Sequence, residues 1–191
     1  MPEPSHRYEP GIWHHITVTA AARRPLFTDV GRVRILQERL NQARRRFGLL
    51  CAGYVIMPDH FHWVIYPTEA GFEDFAAEQI QKERRYAEDP AAYFLPRIVE
   101  EVKRGTTQAV RRLARSLPQQ LWQPGFWDRP FADLNRLPAI LESIHMNPVR
   151  AGLCAHPAEY PYSSYNALVH GHPHIVTLDR AIWENLGMPS A

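Results

Sequence analysis

The chain is 191 residues long, 45% hydrophobic, with a formal net charge of +2 and two cysteines, Cys51 and Cys154. That length suits one domain with a full core, and two cysteines exclude a disulfide framework or a cysteine-built zinc site. No stretch is long and apolar enough to span a membrane and the start, Met1-Pro-Glu-Pro-Ser5, is unlike a signal peptide, so a cytoplasmic protein without membrane contact is expected.

The charge is arranged in blocks. Residues 1–50 carry nine arginines against four acids. The segment from Phe72 to Pro90 is acidic, with Glu73, Asp74, Glu78, Glu83, Glu88 and Asp89. Positive charge returns in Lys103, Arg104, Arg111, Arg112 and Arg115. Arginine suits forked contacts to phosphate, which points to nucleic acid, while solubility is the plainer explanation of the same charges.

Trp13 to Ala20 alternates with β-branched residues and predicts a first strand. A helix follows, with Val30, Val33, Leu36, Leu40, Ala43 and Phe47 on one stripe and Arg32, Arg39 and Arg46 away from it. Leu49 to Met57 predicts a second strand, Pro58-Asp59 a turn, and Phe61 to Tyr66 a third strand. The region 72–97 reads as a helical insertion or lid broken at Pro90-Ala-Ala-Tyr-Phe-Leu-Pro96. Ile98 to Leu117 is amphipathic: Val102, Thr106, Ala109, Val110, Leu113 and Leu117 share one side, with Arg104, Arg111 and Arg115 as a basic stripe opposite. Trp122 to Phe131 has the aromatic density of a strand. A last helix runs from about Leu137 to Met146 with Leu137, Leu141 and Ile144 buried, ended by Pro148. A C-terminal extension, about 167–191, is weakly helical near Asp179 to Leu186. The whole predicts a single α+β domain over 1–191, an antiparallel sheet with helices packed on one face.

His60 and His62 lie two residues apart at the start of an apolar strand, so both imidazoles project from one face. Two neutral imidazoles suit Mg²⁺ or Mn²⁺ when an oxygen ligand completes the site. Asn147 offers one: it lies four residues beyond Ser143, on the same helix face, although an Asn before Pro148 is also an ordinary helix terminator. His145 points elsewhere, toward local packing. A metal beside a basic surface suits phosphodiester chemistry. Strand transfer that conserves bond energy needs a covalent nucleophile, and tyrosine, with a pKa of about 10, is a better leaving group than an aliphatic alcohol. The final helix has no tyrosine.

The stretches Gly53-Tyr-Val-Ile-Met-Pro-Asp-His-Phe-His-Trp-Val-Ile65, Leu121-Trp-Gln-Pro-Gly-Phe-Trp-Asp128, Ser143-Ile-His-Met-Asn-Pro-Val-Arg-Ala-Gly-Leu153 and Pro161-Tyr-Ser-Ser-Tyr165 carry a resemblance. With the start at Pro10-Gly-Ile-Trp-His-His, they span roughly residues 7 to 166. The chain resembles a REP-associated tyrosine transposase, within the HUH single-strand nuclease and single-tyrosine transposase superfamily. The resemblance implies a ferredoxin-like fold, a divalent metal on His60, His62 and Asn147, and recognition of single-stranded DNA at hairpins. It implies cleavage that leaves a 5′-phosphotyrosine. Arg104, Arg111, Arg115, Lys103 and Arg150 are the candidate DNA contacts, and the protein is expected to be a monomer or a homodimer.

Where that family has its tyrosine, this chain has Ser143. Three outcomes follow: loss of strand transfer with survival as a DNA-binding or regulatory protein; use of another tyrosine, among Tyr86, Tyr93, Tyr160, Tyr162 and Tyr165; or metal-activated hydrolysis or attack by Ser143 itself. A metalloenzyme or structural domain unrelated to nucleic acid is the alternative of another class.

Overall fold

The computed structural model describes residues 7–82, 87–114, 117–179 and 182. The first strand, β1 (Trp13–Thr19), alternates between a fully buried face and a half-buried one. Asp29 then caps helix α1 (Val30–Arg46) by accepting the backbone N–H of Arg32, as a short carboxylate at the N-cap position does. Val33, Leu36, Leu40 and Ala43 are its buried stripe; Val30, expected on that stripe, is 66% exposed because it occupies the first turn.

Strands β2 (Leu49–Ile56) and β3 (His60–Pro67) form an antiparallel hairpin across the Met57–Asp59 turn. Helix α2 (Glu69–Gln81) follows, capped by Thr68. Its Gly71 leaves no room for a side chain, since a Cβ there would lie 2.1 Å from the Phe47 carbonyl oxygen. Helix α3 (Pro90–Leu113), strand β4 (Trp127–Phe131) and helix α4 (Leu137–His145) complete the main body. Two short helices, α5 (Asn147–Arg150) and α6 (Tyr165–His170), close the described chain.

The sheet order is β2-β3-β1-β4, antiparallel throughout. With α1 joining β1 to β2 and α3 leading into β4, this is the βαββαβ arrangement of ferredoxin-like folds. One core cluster gathers Ile16, Val18, Tyr54, Phe61, Trp63 and Ile65 against α1 and α3. A second, on the other face, gathers Trp13, Val55, Val64 and Phe131 against Leu137, Leu141 and Ile144 of α4. The expected helix layer is therefore α1 and α3, and α4 adds a cover to part of the opposite face.

Several local expectations are corrected. Pro90 does not break a helix but opens α3 at its first position, behind Asp89, whose side chain accepts the Ala92 N–H. Pro96 is carried within the same helix. Phe94 and Leu95 of α3 are fully buried and Phe75 of α2 nearly so, so both helices contribute side chains to the core. The helix ends at Leu113, which is 63% exposed, short of the expected Leu117. The predicted strand over Trp122 to Phe131 begins only at Trp127, with Trp122 making an isolated bridge to Ala20. Tyr86, Arg115 and most of the tail helix expected near Asp179 to Leu186 lie outside the described residues. Among the described residues, no helix is long and apolar enough to cross a membrane.

Candidate functional site

The pairing register sets the site. Across the sheet, Val55, His62, Thr17 and Trp127 stand in one row, and Gly53, Val64, His15 and Arg129 in the next. Directly opposed residues of an antiparallel pair share a face, so His60, His62, His15, Thr17, Trp127 and Arg129 all occupy the α4 side. The adjacent His14 and His15 of β1 split between faces. His14 turns inward, 1% exposed, with its Nδ1 2.9 Å from Asp128 Oδ2.

The His60 and His62 rings lie 5.0 Å apart, at an interplanar angle of 89°. His60 Nδ1 lies 2.6 Å from Asp59 Oδ1. Burial raises the Asp59 carboxyl pKa, but the hydrogen bond and charge of His60 and the charge of Arg23 outweigh it and hold the group below its usual value. An ionised carboxylate only accepts, so the Nδ1 of His60 donates to Asp59 and Nε2 is the ring nitrogen turned to the site. His62 Nδ1 is 2.9 Å from Thr17 Oγ1 and 3.1 Å from His15 Nε2. Burial, with the charges of His15, His60 and Arg129, pulls the His62 pKa down to about 3. Burial and Arg129 lower that of His15. Both rings are therefore neutral near pH 7.

Each imidazole of the pair is thus anchored through Nδ1, with no hydrogen-bond partner at Nε2 among the described residues. Metal-ligating histidines are held in this way, by a carboxylate or another acceptor behind the ring. Among the described residues no three His, Cys, Asp or Glu side chains converge as a metal group. An ion here would rest on two imidazoles and neutral oxygen donors. The residues fit a hexacoordinate ion that retains water or takes phosphate oxygens better than a closed structural site.

α4 lies beside the pair on the same face, since Leu141 and Ile144 pack with Val55 and Val64. Gly53 makes this approach possible: a Cβ there would meet Leu141 Cδ2 at 2.5 Å and Ser164 Oγ at 2.9 Å. Ser143 is exposed, and its hydroxyl has no hydrogen bond among the described residues. Its carbonyl accepts from Asn147 Nδ2 at 3.1 Å and from Arg150 at 3.0 Å. Asn147 thus caps the C-terminal carbonyls of α4 through its nitrogen, leaving its Oδ1 as a donor atom for an ion. His145 is buried and bonded to Ser164 Oγ at 2.8 Å, which makes it a packing residue, as expected from the sequence.

The basic stripe lies elsewhere. α3 packs on the α1 side of the sheet, away from the imidazoles. Lys103 Nζ donates to the carbonyls of Gln123 and Gly125, and Arg111 to those of Pro118 and Gln119. Arg104 lies 3.6 Å from Glu101. Lys103 and Arg111 thus brace the 118–125 loop; on the histidine face the charge of Arg129, which sequence pattern did not single out, reaches both His15 and His62. Of the tyrosines, Tyr160 is buried and donates its hydroxyl to the Ile56 carbonyl at 2.7 Å, with burial raising its pKa. Tyr162 packs edge-on against Tyr160 and Tyr165 against His145. Tyr93, 39% exposed, sits on α3.

In fold, the chain is similar to a solved structure of a REP-associated tyrosine transposase bound to a REP hairpin. The identity is 20% and the TM-score 0.62, over 91% of this chain and 88% of that one. No family model and no curated protein matches the chain.

Proposed function

We propose that this protein binds hairpin-forming single-stranded DNA at a divalent-metal site on His60 and His62, with Asn147 as the oxygen ligand. The observation that carries the reading is the anchoring of both Nδ1 atoms, by Asp59 and by Thr17 with His15, which leaves both Nε2 atoms without a hydrogen-bond partner among the described residues, on one sheet face beside α4. The shared fold with a hairpin-bound transposase supports the choice of ligand. A bound Mg²⁺ or Mn²⁺ supplies Lewis acidity toward a phosphate oxygen. Around it, Asp59 orients His60, Thr17 and His15 orient His62, and Arg129 adds positive charge at the rim.

Ser143 at the expected tyrosine position favours binding without strand transfer. His145, the imidazole closest to Ser143 in sequence, is turned to Ser164, and among the described residues the Ser143 hydroxyl is hydrogen-bonded to no imidazole. Lys103, Arg104 and Arg111 remain long-range electrostatic contributors, and Arg150, bonded to the Ser143 carbonyl, joins Arg129 on the α4 side. The protein is soluble and cytoplasmic in this reading.

Labelled hairpin oligonucleotides with single-stranded flanks, titrated with and without Mn²⁺, test it. Expected are metal-enhanced, salt-sensitive binding and its loss in the H60A/H62A variant. Equal affinity for hairpins and for scrambled single strands would overturn the reading. A covalent adduct on a denaturing gel would replace it with tyrosine chemistry, and cleaved product without adduct with hydrolysis.

A further inference from the structure

Trp127 is 70% exposed, whereas Trp13, Trp63 and Trp122 are at most 7% exposed. A single apolar side chain in water needs no explanation by itself. Its position supplies one. Trp127 stands in the same row of the sheet as Thr17 and His62, and Arg129, two residues on, stands in register with His15. Two interstrand spacings separate Trp127 from His62, or about 10 Å. Arg129 is exposed and has no hydrogen bond or ion pair among the described residues, yet its charge is felt at both His15 and His62.

The side on which Trp127 stands is fixed. Between it and Arg129, the Asp128 side chain is fully buried against His14 on the opposite face. Side chains alternate along a strand, so that pair turns Trp127 and Arg129 outward, and a slip of one residue would part Asp128 from His14. β4 is also an edge strand, leaving the indole open on its outer side.

We infer that Trp127, flanked by Arg129, is a stacking platform for an unpaired nucleobase next to the phosphate held at His60 and His62. The inference rests on the single-stranded DNA reading above and deepens it. An indole offers a flat face that any unpaired base stacks on, whereas bases inside a duplex are already stacked on one another. Arg129 holds the neighbouring phosphate by charge. The platform therefore selects flanking single strand over stem, without reading its sequence.

The test measures fluorescence anisotropy of three labelled hairpins: one with a single-stranded flank, one blunt, and one whose flank is abasic. W127A should bind the flanked hairpin at least about tenfold more weakly than the wild type, while W127F stays within about threefold. The blunt and abasic hairpins should bind wild type and W127A alike. Circular dichroism of W127A, expected to match the wild type because the side chain is exposed, separates lost stacking from lost fold. Unchanged affinity of W127A for the flanked hairpin overturns the platform while leaving the DNA reading intact. Failure of the wild type to bind any hairpin overturns both. A dimer in the wild type that becomes monomer in W127A would instead make the indole a self-association contact.

Discussion

Asp59 and His60 are neighbours in sequence whose side chains meet at 2.6 Å, and that one bond decides which nitrogen of His60 faces the site. Replacing the carboxylate by an amide keeps the size but removes the obligate acceptor. D59N should weaken Mn²⁺ binding by roughly 10- to 100-fold, the usual cost of losing such a partner behind a ligating ring. Titration followed by electron paramagnetic resonance of free Mn²⁺ gives the number directly. An affinity equal to wild type would mean that His60 does not ligate through Nε2.

α4 approaches the sheet only because residue 53 lacks a side chain. In G53A the new methyl would press on Leu141 Cδ2 and Ser164 Oγ at 2.5 and 2.9 Å. Leu141 is well buried and Ser164 is fixed by bonds with Tyr54, so neither yields freely. A destabilisation of about 1–3 kcal/mol is expected, as for other overpacked sites. Urea unfolding measures it, and an unchanged midpoint would show that α4 rides over the sheet with slack.

His145 gives the fold a pH dependence. Burial pulls its pKa from the ordinary 6.5 down to about 4. The unfolded chain takes up a proton near pH 6.5 that the folded chain refuses until about pH 4. Its contribution is therefore intact above pH 6.5 and is lost as pH falls through that window, by on the order of 3 kcal/mol in all. Unfolding midpoints of the wild type should fall between pH 7 and 4.5 more steeply than those of H145Q. Parallel curves would mean that His145 is solvated or protonated in the folded protein.

The sheet, α1 and the hairpin were legible because period-2 and period-3.6 patterns are local. Val33, Leu36 and Leu40 declare a helix face without any knowledge of what they touch. The start of α3 was not, because a proline looks alike as a breaker and as a first residue; only the Asp89 cap distinguishes the two. His60 and His62 were visible as a pair since their spacing alone places them together. His15, Thr17, Trp127 and Arg129 join them through the β3-β1-β4 register, which brings together residues as far apart in sequence as Thr17 and His62, 45 positions, and leaves no trace in local pattern. The basic face of α3 illustrates the reverse: a real helix face whose Lys103 and Arg111 hold a loop.

Tyr160 illustrates how a residue attractive for chemistry is committed to structure. Its hydroxyl donates to the Ile56 carbonyl at the end of β2, and burial keeps it protonated. Y160F should cost about 1 kcal/mol of stability, since it leaves that carbonyl without the bond. Hairpin affinity and any covalent product should be unchanged. Loss of an adduct in Y160F, with the fold intact, would make Tyr160 the nucleophile.

Ser143 is the position at which chemistry is restored or refuted. It is exposed on α4, its hydroxyl is free of hydrogen bonds among the described residues, and its backbone is pinned by Asn147 and Arg150. A tyrosine there meets no packing barrier and brings a phenol of pKa about 10, a far better leaving group from phosphorus than a serine alcohol. With a flanked hairpin and Mn²⁺, S143Y should form a denaturation-resistant protein–DNA adduct that the wild type does not. The adduct should disappear in S143Y/H60A/H62A, which ties it to the imidazole pair. An S143Y protein that binds the hairpin with wild-type affinity yet forms no adduct would show that residue 143 does not stand at the scissile phosphate.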